Sequence, residues 1–382
     1  MMKILIAPDS YKESLSAQQV AQAIEAGFRD VWPDADYDCL PMADGGEGTV
    51  AALIAATGGR RIEVEVSGPL GEPVQAFFGL LGDGRTAVIE MAAASGLELV
   101  PAARRNPMQT SSRGTGELIH AALERGARHI ILGIGGSATN DAGCGLAQAL
   151  GVRLLDATGE PLGEPPIARL DQLARIDLSG LDPRVADCVF EVACDVDNPL
   201  LGPRGASAVF GPQKGADAAM ITVLDARLAR FAACVENDLG LHVADLPGAG
   251  AAGGLGAGAV AMLGATLRPG IDIVSEVVDL DTHVRAADLV ITGEGRVDGQ
   301  SVHGKTPVGV ARVAKRHGKP VIALAGCLGD DYHHVLSDSI DAVFSTAHRG
   351  WTLEQMFEHA AASVRDASRQ IAACLAIGHR LR

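Results

Sequence analysis

Aromatic residues and paired cysteines are scarce in this sequence, and their scarcity excludes several classes of protein. Only 3% of the 382 residues are aromatic, so the cores must be built from Ala, Val, Leu and Ile, while the 47 glycines indicate many tight turns. The seven cysteines are an odd number without a CxxC pair, and they fit neither a disulfide framework nor a zinc knuckle. We therefore expect scattered reduced thiols in a cytosolic α/β protein.

Positive charge and long apolar runs are also in short supply. The formal net charge of −15 argues against nucleic-acid or anionic-membrane partners, because both need a positive field. The amino terminus offers only the apolar run ILIA, which is too short for a signal peptide. The uncharged segment 248–267 has the length of a membrane span but consists mostly of Gly and Ala. We expect a buried glycine-rich turn and helix there, and a cytoplasmic protein whose anionic substrate meets a local basic pocket.

The order of apolar segments predicts two α/β domains. Strand–helix–strand alternation opens the chain and returns after residue 287, whereas successive strands dominate between. We predict that residues 1–67 and 285–382 form one discontinuous Rossmann- or flavodoxin-like domain with a parallel sheet. Residues 68–284 would form a large inserted α/β domain, with a cleft between the two.

Individual elements follow from periodicity and composition. Strands are predicted at residues 3–7, 37–40 and 287–293, and the apolar runs ILIA and VIALA predict strands that are buried. Helices are predicted at residues 16–31, where Val20, Ile24 and Phe28 are four residues apart, and at residues 117–124 and 353–374. Because ligands in open α/β sheets bind beyond the carboxyl ends of the strands, polar residues that follow these strands are candidate site residues.

Three polar residues follow the first strand in the segment APDSYKESLSA. Asp9, Ser10 and Lys12 lie in the loop before the first helix, and Lys12 brings a positive charge to a bound anion. The alternative is that Ser14 or Ser16 caps the helix while Lys12 is solvated.

The second strand leads into PMADGGEGT. Asp44 precedes the glycine pair Gly45 and Gly46, which let the backbone approach a ligand closely or form an anion-binding turn. A simple turn is the alternative, because Asp-Gly-Gly is common in turns.

A phosphate-binding loop is predicted in HIILGIGGSATNDAGCG. An apolar strand runs into a loop of small polar residues and then into a helix that begins near Asp141. The alternative is a tight turn with a capping side chain. The candidate nucleotide-binding residues in this loop are Gly135, Gly136, Ser137, Thr139, Asn140 and Asp141.

Two carboxylates follow another strand in ACDVDNPLLG. Asp195 and Asp197 are two residues apart and point the same way if the chain is extended, so they can hold Mg²⁺ or accept a proton. Alternatively, Asp197 and Asn198 cap a turn before Pro199.

Two segments match nucleotide-binding sequence patterns, but neither match is good evidence for a nucleotide site. GQSVHGKT matches the P-loop pattern, but its glycine does not directly follow a strand, and Pro307 indicates that the helix begins later than a P-loop helix would. GAGAAG matches a dinucleotide pattern, but no strand leads into it. Near the first match, Glu294 and Lys305 still form a candidate polar site at a strand end.

As an ordered set, these motifs resemble the bacterial glycerate kinase family over nearly the whole chain. The set comprises APDSYKESLSA, PMADGGEGT, SSRGTGELI, GIGGSATNDAGCG, DVDNPLLG, FGPQKGA, GAGAAGGLGAG and TGEGRVDGQSVHGK. The resemblance implies transfer of the γ-phosphoryl group of ATP, with Mg²⁺, to D-glycerate, with 2-phosphoglycerate as the product. Tyr11 stands where the family pattern suggests Phe.

The resemblance does not assign steps to residues, so the roles are hypotheses from the residue chemistry. Asp195 and Lys12 are the catalytic candidates, and Asp195 and Asp197 the metal ligands. The substrate-binding candidates are Asp9, Ser10, Asp44, Gly45, Gly46, Arg113 and Lys305, and Glu294 joins the loop from Gly135 to Asp141 in binding the nucleotide. The rival interpretations are a non-catalytic small-anion binding protein, a different small-molecule kinase, a P-loop NTPase and a dehydrogenase. The sequence leaves the oligomeric state open.

Overall fold

The structure is a computed structural model, and it describes residues 2–299, 305–347 and 350–381. The chain divides into two compact units. Unit 1 comprises Met1–Asp44, Ala51–Thr57 and Gly270–Arg382, and unit 2 comprises Gly45–Val50 and Gly58–Pro269.

The described residues contain strands and helices in roughly equal number along the chain. The strands are β1 (Lys3–Ile6), β2 (Asp36–Cys39), β3 (Arg60–Ser67), β4 (Pro73–Leu80), β5 (Thr86–Glu90), β6 (His129–Gly133), β7 (Arg153–Leu155), β8 (Arg175–Asp177), β9 (Val189–Ala193), β10 (Thr266–Arg268), β11 (Leu289–Val297), β12 (Val321–Leu328) and β13 (Ala342–Ser345). The α-helices are α1 (Ala17–Arg29), α2 (Thr49–Thr57), α3 (Ala92–Ser95), α4 (Arg113–Glu124), α5 (Cys144–Ala149), α6 (Ala206–Phe210), α7 (Ala218–Leu239), α8 (Ala251–Leu263), α9 (Gly270–Val277), α10 (Leu280–Ala286), α11 (Thr306–Arg316), α12 (His334–Asp338), α13 (Leu353–Glu358) and α14 (Ala360–Arg380).

Unit 1 is built on a five-stranded parallel sheet. Its strands lie in the order β13-β12-β11-β1-β2, and every neighbouring pair is parallel. The apolar runs of β1 and β12 are buried, as expected for strands covered on both faces. Numbered within the sheet, this is the 2-1-3-4-5 order of flavodoxin-like folds, whose topological switch point lies between β1 and β11. The predicted parallel-sheet α/β fold is confirmed.

Helices α1 and α14 pack against each other beside this sheet. Helix α1 begins after Ser16, which forms a capping box with Gln19, and it buries Val20, Ile24 and Phe28 at helical spacing. A Cβ at Gly27 would lie 2.3 Å from the carbonyl oxygen of Arg365, so glycine is required for this close helix approach.

Three element boundaries differ from the sequence expectations. The predicted helix 117–124 begins earlier, at Arg113, and the predicted helix 353–374 is two helices, α13 and α14. Strand β11 continues to Val297 because it pairs with β12 along its length, up to Val297 opposite Leu328. Glu294 therefore lies within a strand instead of a loop.

Unit 2 is built on a six-stranded mixed sheet, β10-β9-β6-β5-β4-β3. Strands β10, β9, β6 and β5 are parallel, whereas β4 pairs antiparallel with both β5 and β3. The predicted domain limits at residues 67/68 and 284/285 differ from the limits of the units. Strand β3 pairs with β4 over eight residue pairs and lies in unit 2, while α9 and most of α10 precede residue 285 and lie in unit 1.

The uncharged segment 248–267 forms the predicted buried turn and helix. Residues Ala252, Gly253 and Gly254 have left-handed backbone angles, and α8 continues to Leu263 with nearly every residue buried. A Cβ at Gly258 would lie 1.9 Å from the carbonyl oxygen of Ala142, so the helix backbone packs directly on the loop that follows β6. No helix in the described part of the chain is long and apolar enough to cross a bilayer.

Candidate active site

Three carboxylates lie at the switch point of the unit 1 sheet. Asp9 follows β1, Asp44 follows β2, and Glu294 lies in the carboxyl-terminal half of β11. The backbone N–H of Asp9 donates to the carbonyl oxygen of Gly293 at 2.8 Å, which fixes the loop after β1 against β11. The topology thus gathers acids that are distant in the sequence at the edge where parallel sheets bind ligands.

The pKa of Asp9 is strongly perturbed. Its carboxylate accepts hydrogen bonds from its neighbour, the Ser10 backbone N–H, at 2.6 Å and from Thr306 Oγ1 at 2.5 Å. Burial, together with the negative charges of Asp44 and Glu294, raises the pKa of Asp9 to about 7, although both hydrogen bonds oppose the rise. A carboxyl group with a pKa near neutrality is suited to proton transfer.

A lysine and a helix start complete the unit 1 site. Lys305 Nζ lies 3.6 Å from Glu294 Oε2, and Lys305 directly precedes α11. Helix α11 begins at Thr306, one residue before the position predicted from Pro307. Most of the P-loop match, residues 300–304, lies outside the described residues, so the structure does not test that match.

The loop after β1 is a compact turn anchored by Tyr11. Tyr11 and Leu15 exchange backbone hydrogen bonds, and the buried Tyr11 hydroxyl donates to the carbonyl oxygen of Leu324 at 3.0 Å. Burial raises the pKa of the Tyr11 phenol, with a further rise from Glu294. Lys12 lies on the exposed side of this turn. The hydroxyl explains how Tyr can replace the expected Phe, because it has a partner that satisfies it.

Two of the predicted glycine-rich segments meet within unit 2. A Cβ at Gly133 would lie 2.3 Å from the carbonyl oxygen of Gly45, and Gly46 lies close to Gly135. Gly45 has φ of +93°, a conformation that favours glycine. The PMADGGEGT turn and the loop after β6 therefore pack on each other, as two candidate binding segments of one site would.

The loop after β6 presents its first residues and buries its last. Gly135 and Gly136 are exposed, whereas Thr139, Asn140 and Asp141 have no exposed surface. Ser137 is nearly buried and pairs through its backbone with Gly96. The exposed backbone is available to a ligand, whereas the side chains of Asn140 and Asp141 bond other segments of unit 2. Helix α5 begins at Cys144 instead of near Asp141 and has six residues.

Asp141 is the polar centre of this loop. Its carboxylate accepts hydrogen bonds from the Ser112 backbone N–H and Oγ, both at 2.8 Å, and from the backbone N–H groups of Gly143 and Gly145, both at 3.2 Å. Burial raises the pKa of Asp141, and these donors oppose the rise. The carboxylate ties the loop to the start of α4.

Sequence reasoning did not single out two residues that the structure places at these sites. Thr306 hydrogen-bonds Asp9, and Lys214 Nζ donates to the carbonyl oxygen of Thr139 at 2.5 Å. Lys214 was visible in the motif FGPQKGA, but nothing local in the sequence indicates that its side chain is buried. Thr306 lies 297 residues from Asp9, and only the sheet topology joins them.

The remaining predicted residues lie at the surface of unit 2. Arg113 forms ion pairs with Glu117 at 3.0 Å and with Glu164 at 3.2 Å. Asp195 is exposed in the irregular segment after β9, and exposed Asp197 pairs with Arg204 at 3.1 Å. Residues 2–299, 305–347 and 350–381 contain no group of three or more His, Cys, Asp or Glu side chains arranged to hold a metal ion.

Comparisons with known proteins show the family of the chain. A sequence profile of the glycerate kinase family matches residues 4–376. Glycerate 2-kinase of Escherichia coli (strain K12) is 59% identical over 99% of both chains, and glycerate kinase of Bacillus subtilis (strain 168) is 60% identical over 98% of both. A crystal structure assigned to glycerate kinase 2 of Salmonella typhimurium LT2 matches with a TM-score of 0.92 and 57% identity over 99% of both chains. Because the profile and these relatives span nearly the whole chain, the protein belongs to the glycerate kinase family.

Proposed function

We propose that this protein is a glycerate kinase that transfers the γ-phosphoryl group of ATP to D-glycerate and forms 2-phosphoglycerate and ADP. The observation that carries the proposal is the 59% identity to the E. coli glycerate 2-kinase over 99% of both chains. The acids at the switch point of unit 1 and the glycine-rich loop of unit 2 supply the kinds of group that phosphoryl transfer needs.

The reaction requires one proton acceptor, and Asp9 suits that role. The hydroxyl oxygen of glycerate forms a bond to the γ-phosphorus, the bond from that phosphorus to the ADP oxygen breaks, and the hydroxyl proton passes to a base. The pKa of Asp9, about 7, leaves part of the population deprotonated at neutral pH, and Thr306 orients the carboxylate. Asp195, the candidate from the sequence, is the alternative base.

Asp195 and Asp197 are the residues that would hold Mg²⁺. Both are exposed carboxylates, and Mg²⁺ in kinases is commonly held by one or two carboxylates together with substrate phosphates and water. A dedicated cage of protein side chains is therefore unnecessary. When bound, the ion would neutralise charge on the transferring phosphoryl group. Binding it would require Asp197 to exchange its ion pair with Arg204.

The other predicted residues are proposed to bind the substrates. In unit 2, the exposed backbone at Gly135 and Gly136 would receive the phosphates of ATP. Lys12, Arg113 and Lys305 would supply positive charge to the glycerate carboxylate or to the nucleotide, which compensates locally for the net charge of −15. The first and last segments of the chain would form the discontinuous domain that carries Asp9, Asp44 and Glu294.

One assay tests the reaction and its product together. The purified protein is incubated with ATP, Mg²⁺ and D-glycerate, and the phosphoglycerate isomer is identified by ³¹P NMR. We expect 2-phosphoglycerate. The 3-isomer would overturn the assignment of the product. Binding of glycerate without ATP consumption would support a non-catalytic anion-binding protein, and ATP hydrolysis that does not depend on glycerate would support an NTPase.

A further inference from the structure

Lys214 is a lysine whose side chain is buried within unit 2. Its side chain is 1% exposed, whereas lysine is among the residues that are least often buried. It ends the short 3-10 turn Pro212–Lys214 in the segment FGPQKGA. Its ammonium group donates to the carbonyl oxygen of Thr139 at 2.5 Å, so a charged side chain from one segment holds the backbone of the glycine-rich loop in another.

The burial of this lysine is unfavourable for folding. Burial lowers the pKa of Lys214 to about 7, and the nearby Asp141 carboxylate only partly opposes the change. An apolar side chain of similar volume would fill the same space without the cost of desolvating a charge. A buried cation that lowers stability is more readily explained by activity than by folding.

Side chains also join the loop that Lys214 contacts to other segments of unit 2. Thr110 Oγ1 donates to the carbonyl oxygen of Ala138 at 2.9 Å, and Asn140 Nδ2 donates to Ser207 Oγ at 3.1 Å. Together with Lys214, these side chains bond three successive residues of the loop. The loop therefore takes its conformation from contacts with other segments of unit 2.

The same loop has internal features that oppose its conformation. Thr139 Oγ1 and Asn140 Oδ1 are buried, and in the described part of the chain neither atom has a hydrogen-bond partner. Ala142 has φ of +52°, which is unfavourable for a residue other than glycine. A loop with unsatisfied polar atoms and a strained residue needs external bonds to keep its shape.

We propose that Lys214 is a positioning residue whose ammonium group, through the Thr139 carbonyl, holds the loop Gly135–Asp141 in the conformation that binds the phosphates of ATP. The inference rests on the proposed function, in which the backbone of Gly135 and Gly136 receives those phosphates. Because Lys214 is buried, it would act on the nucleotide only through the loop. Its loss should weaken nucleotide binding without altering the affinity for glycerate.

The test compares Lys214→Met with the control Lys315→Met, which removes an exposed lysine of unit 1 that pairs with Asp341. Binding of the non-hydrolysable analogue AMP-PNP is measured by calorimetry, and KM for ATP and for D-glycerate is measured with kcat. Circular dichroism confirms folding. We expect Lys214→Met to bind AMP-PNP about tenfold more weakly and to raise KM for ATP similarly, with KM for glycerate unchanged within about twofold. Lys315→Met should match the wild type.

A second variant gives a result even if Lys214→Met does not fold. Lys214→Ala leaves a space for a small amine, and n-propylammonium should restore AMP-PNP binding in this variant while n-propanol should not. The proposal is overturned if Lys214→Met binds AMP-PNP as tightly as the wild type does, or if the KM values for ATP and for glycerate rise equally. It is also overturned if n-propanol restores binding as well as n-propylammonium does, or if the wild-type protein does not bind AMP-PNP. If the wild type binds AMP-PNP but phosphorylates no glycerate, the proposed function fails, and the binding comparison still decides the role of Lys214.

Discussion

Replacing Asp9 by Asn should make the protein more stable at alkaline pH while abolishing its activity. The folded-state pKa of Asp9 is raised from 3.8 to about 7, so its contribution to stability is fully present below pH 3.8 and is lost as the pH rises through 7. At pH 8 the buried carboxylate is charged and destabilises the folded state. Asn carries no charge, so the variant avoids this loss.

The size of the stability difference follows from the pKa shift of Asp9 and from the hydrogen bonds of its side chain. A rise from 3.8 to about 7 corresponds to at most about 4 kcal/mol of unfolding free energy. Asp9 keeps some exposed surface, and part of the rise comes from the charge of Asp44, so we expect about 2 kcal/mol. Asn can keep both hydrogen bonds, because its carbonyl oxygen can accept from the Ser10 N–H and its amide can donate to Thr306 Oγ1.

Thermal unfolding at two pH values measures this difference. At pH 8 the unfolding midpoint of Asp9→Asn should exceed that of the wild type by roughly 4–8 °C, given 2–4 °C per kcal/mol for domains of this size. At pH 5 the difference should be clearly smaller, because the loss of stability accumulates between pH 3.8 and about 7 and is only partly reached there. Turnover at pH 8 should fall roughly 10²–10⁴-fold if Asp9 is the base. Asp34→Asn, an exposed residue of the same unit, is the control.

Two results would refute the reasoning. An Asp9→Asn variant that unfolds at or below the wild-type temperature at pH 8 would show that the buried charge is not destabilising. A midpoint difference of the same size at pH 5 and pH 8 would show that it does not arise from titration of Asp9. Normal turnover in a folded Asp9→Asn protein would leave the stability argument intact and would exclude Asp9 as the base.

Four further predictions concern other parts of the two sites. Gly133→Ala should lower the unfolding free energy by about 2 kcal/mol or more, because its Cβ would lie 2.3 Å from the backbone oxygen of Gly45. Chemical denaturation measures this change, and an unchanged midpoint would contradict the close packing of Gly133 on Gly45. Asp195→Asn should reduce kcat roughly 100-fold or more, and because the residue is exposed it should change the unfolding free energy by less than about 0.5 kcal/mol. Normal turnover would rule out an essential role for Asp195. Asp197→Asn should raise the Mg²⁺ concentration required for half-maximal activity. Tyr11→Phe should lower the unfolding free energy by about 1–2 kcal/mol, because the variant removes the hydroxyl that donates to the carbonyl oxygen of Leu324 in β12. Equal stability of variant and wild type would show that this hydrogen bond contributes nothing.

The local pattern of the sequence was sufficient to predict the framework of unit 1. Apolar runs such as ILIA and VIALA predicted buried parallel strands, and the spacing of Val20, Ile24 and Phe28 predicted α1. These features depend on residues that are close in the chain, so composition and periodicity reveal them. Glycine-rich segments likewise identified the loop after β6 and the buried start of α8.

Only the tertiary structure decided which polar residues meet. Asp9, Asp44, Glu294 and Thr306 come together because β11 pairs with β1, a pairing between distant segments that no local pattern specifies. Pairing with β12 also extended β11 beyond its predicted end. The sequence determined the family and the polar motifs. The tertiary structure also decided that the side chains of Asn140 and Asp141 are buried against other segments and that Lys214 donates to the Thr139 carbonyl, since burial depends on all the segments that pack around a side chain.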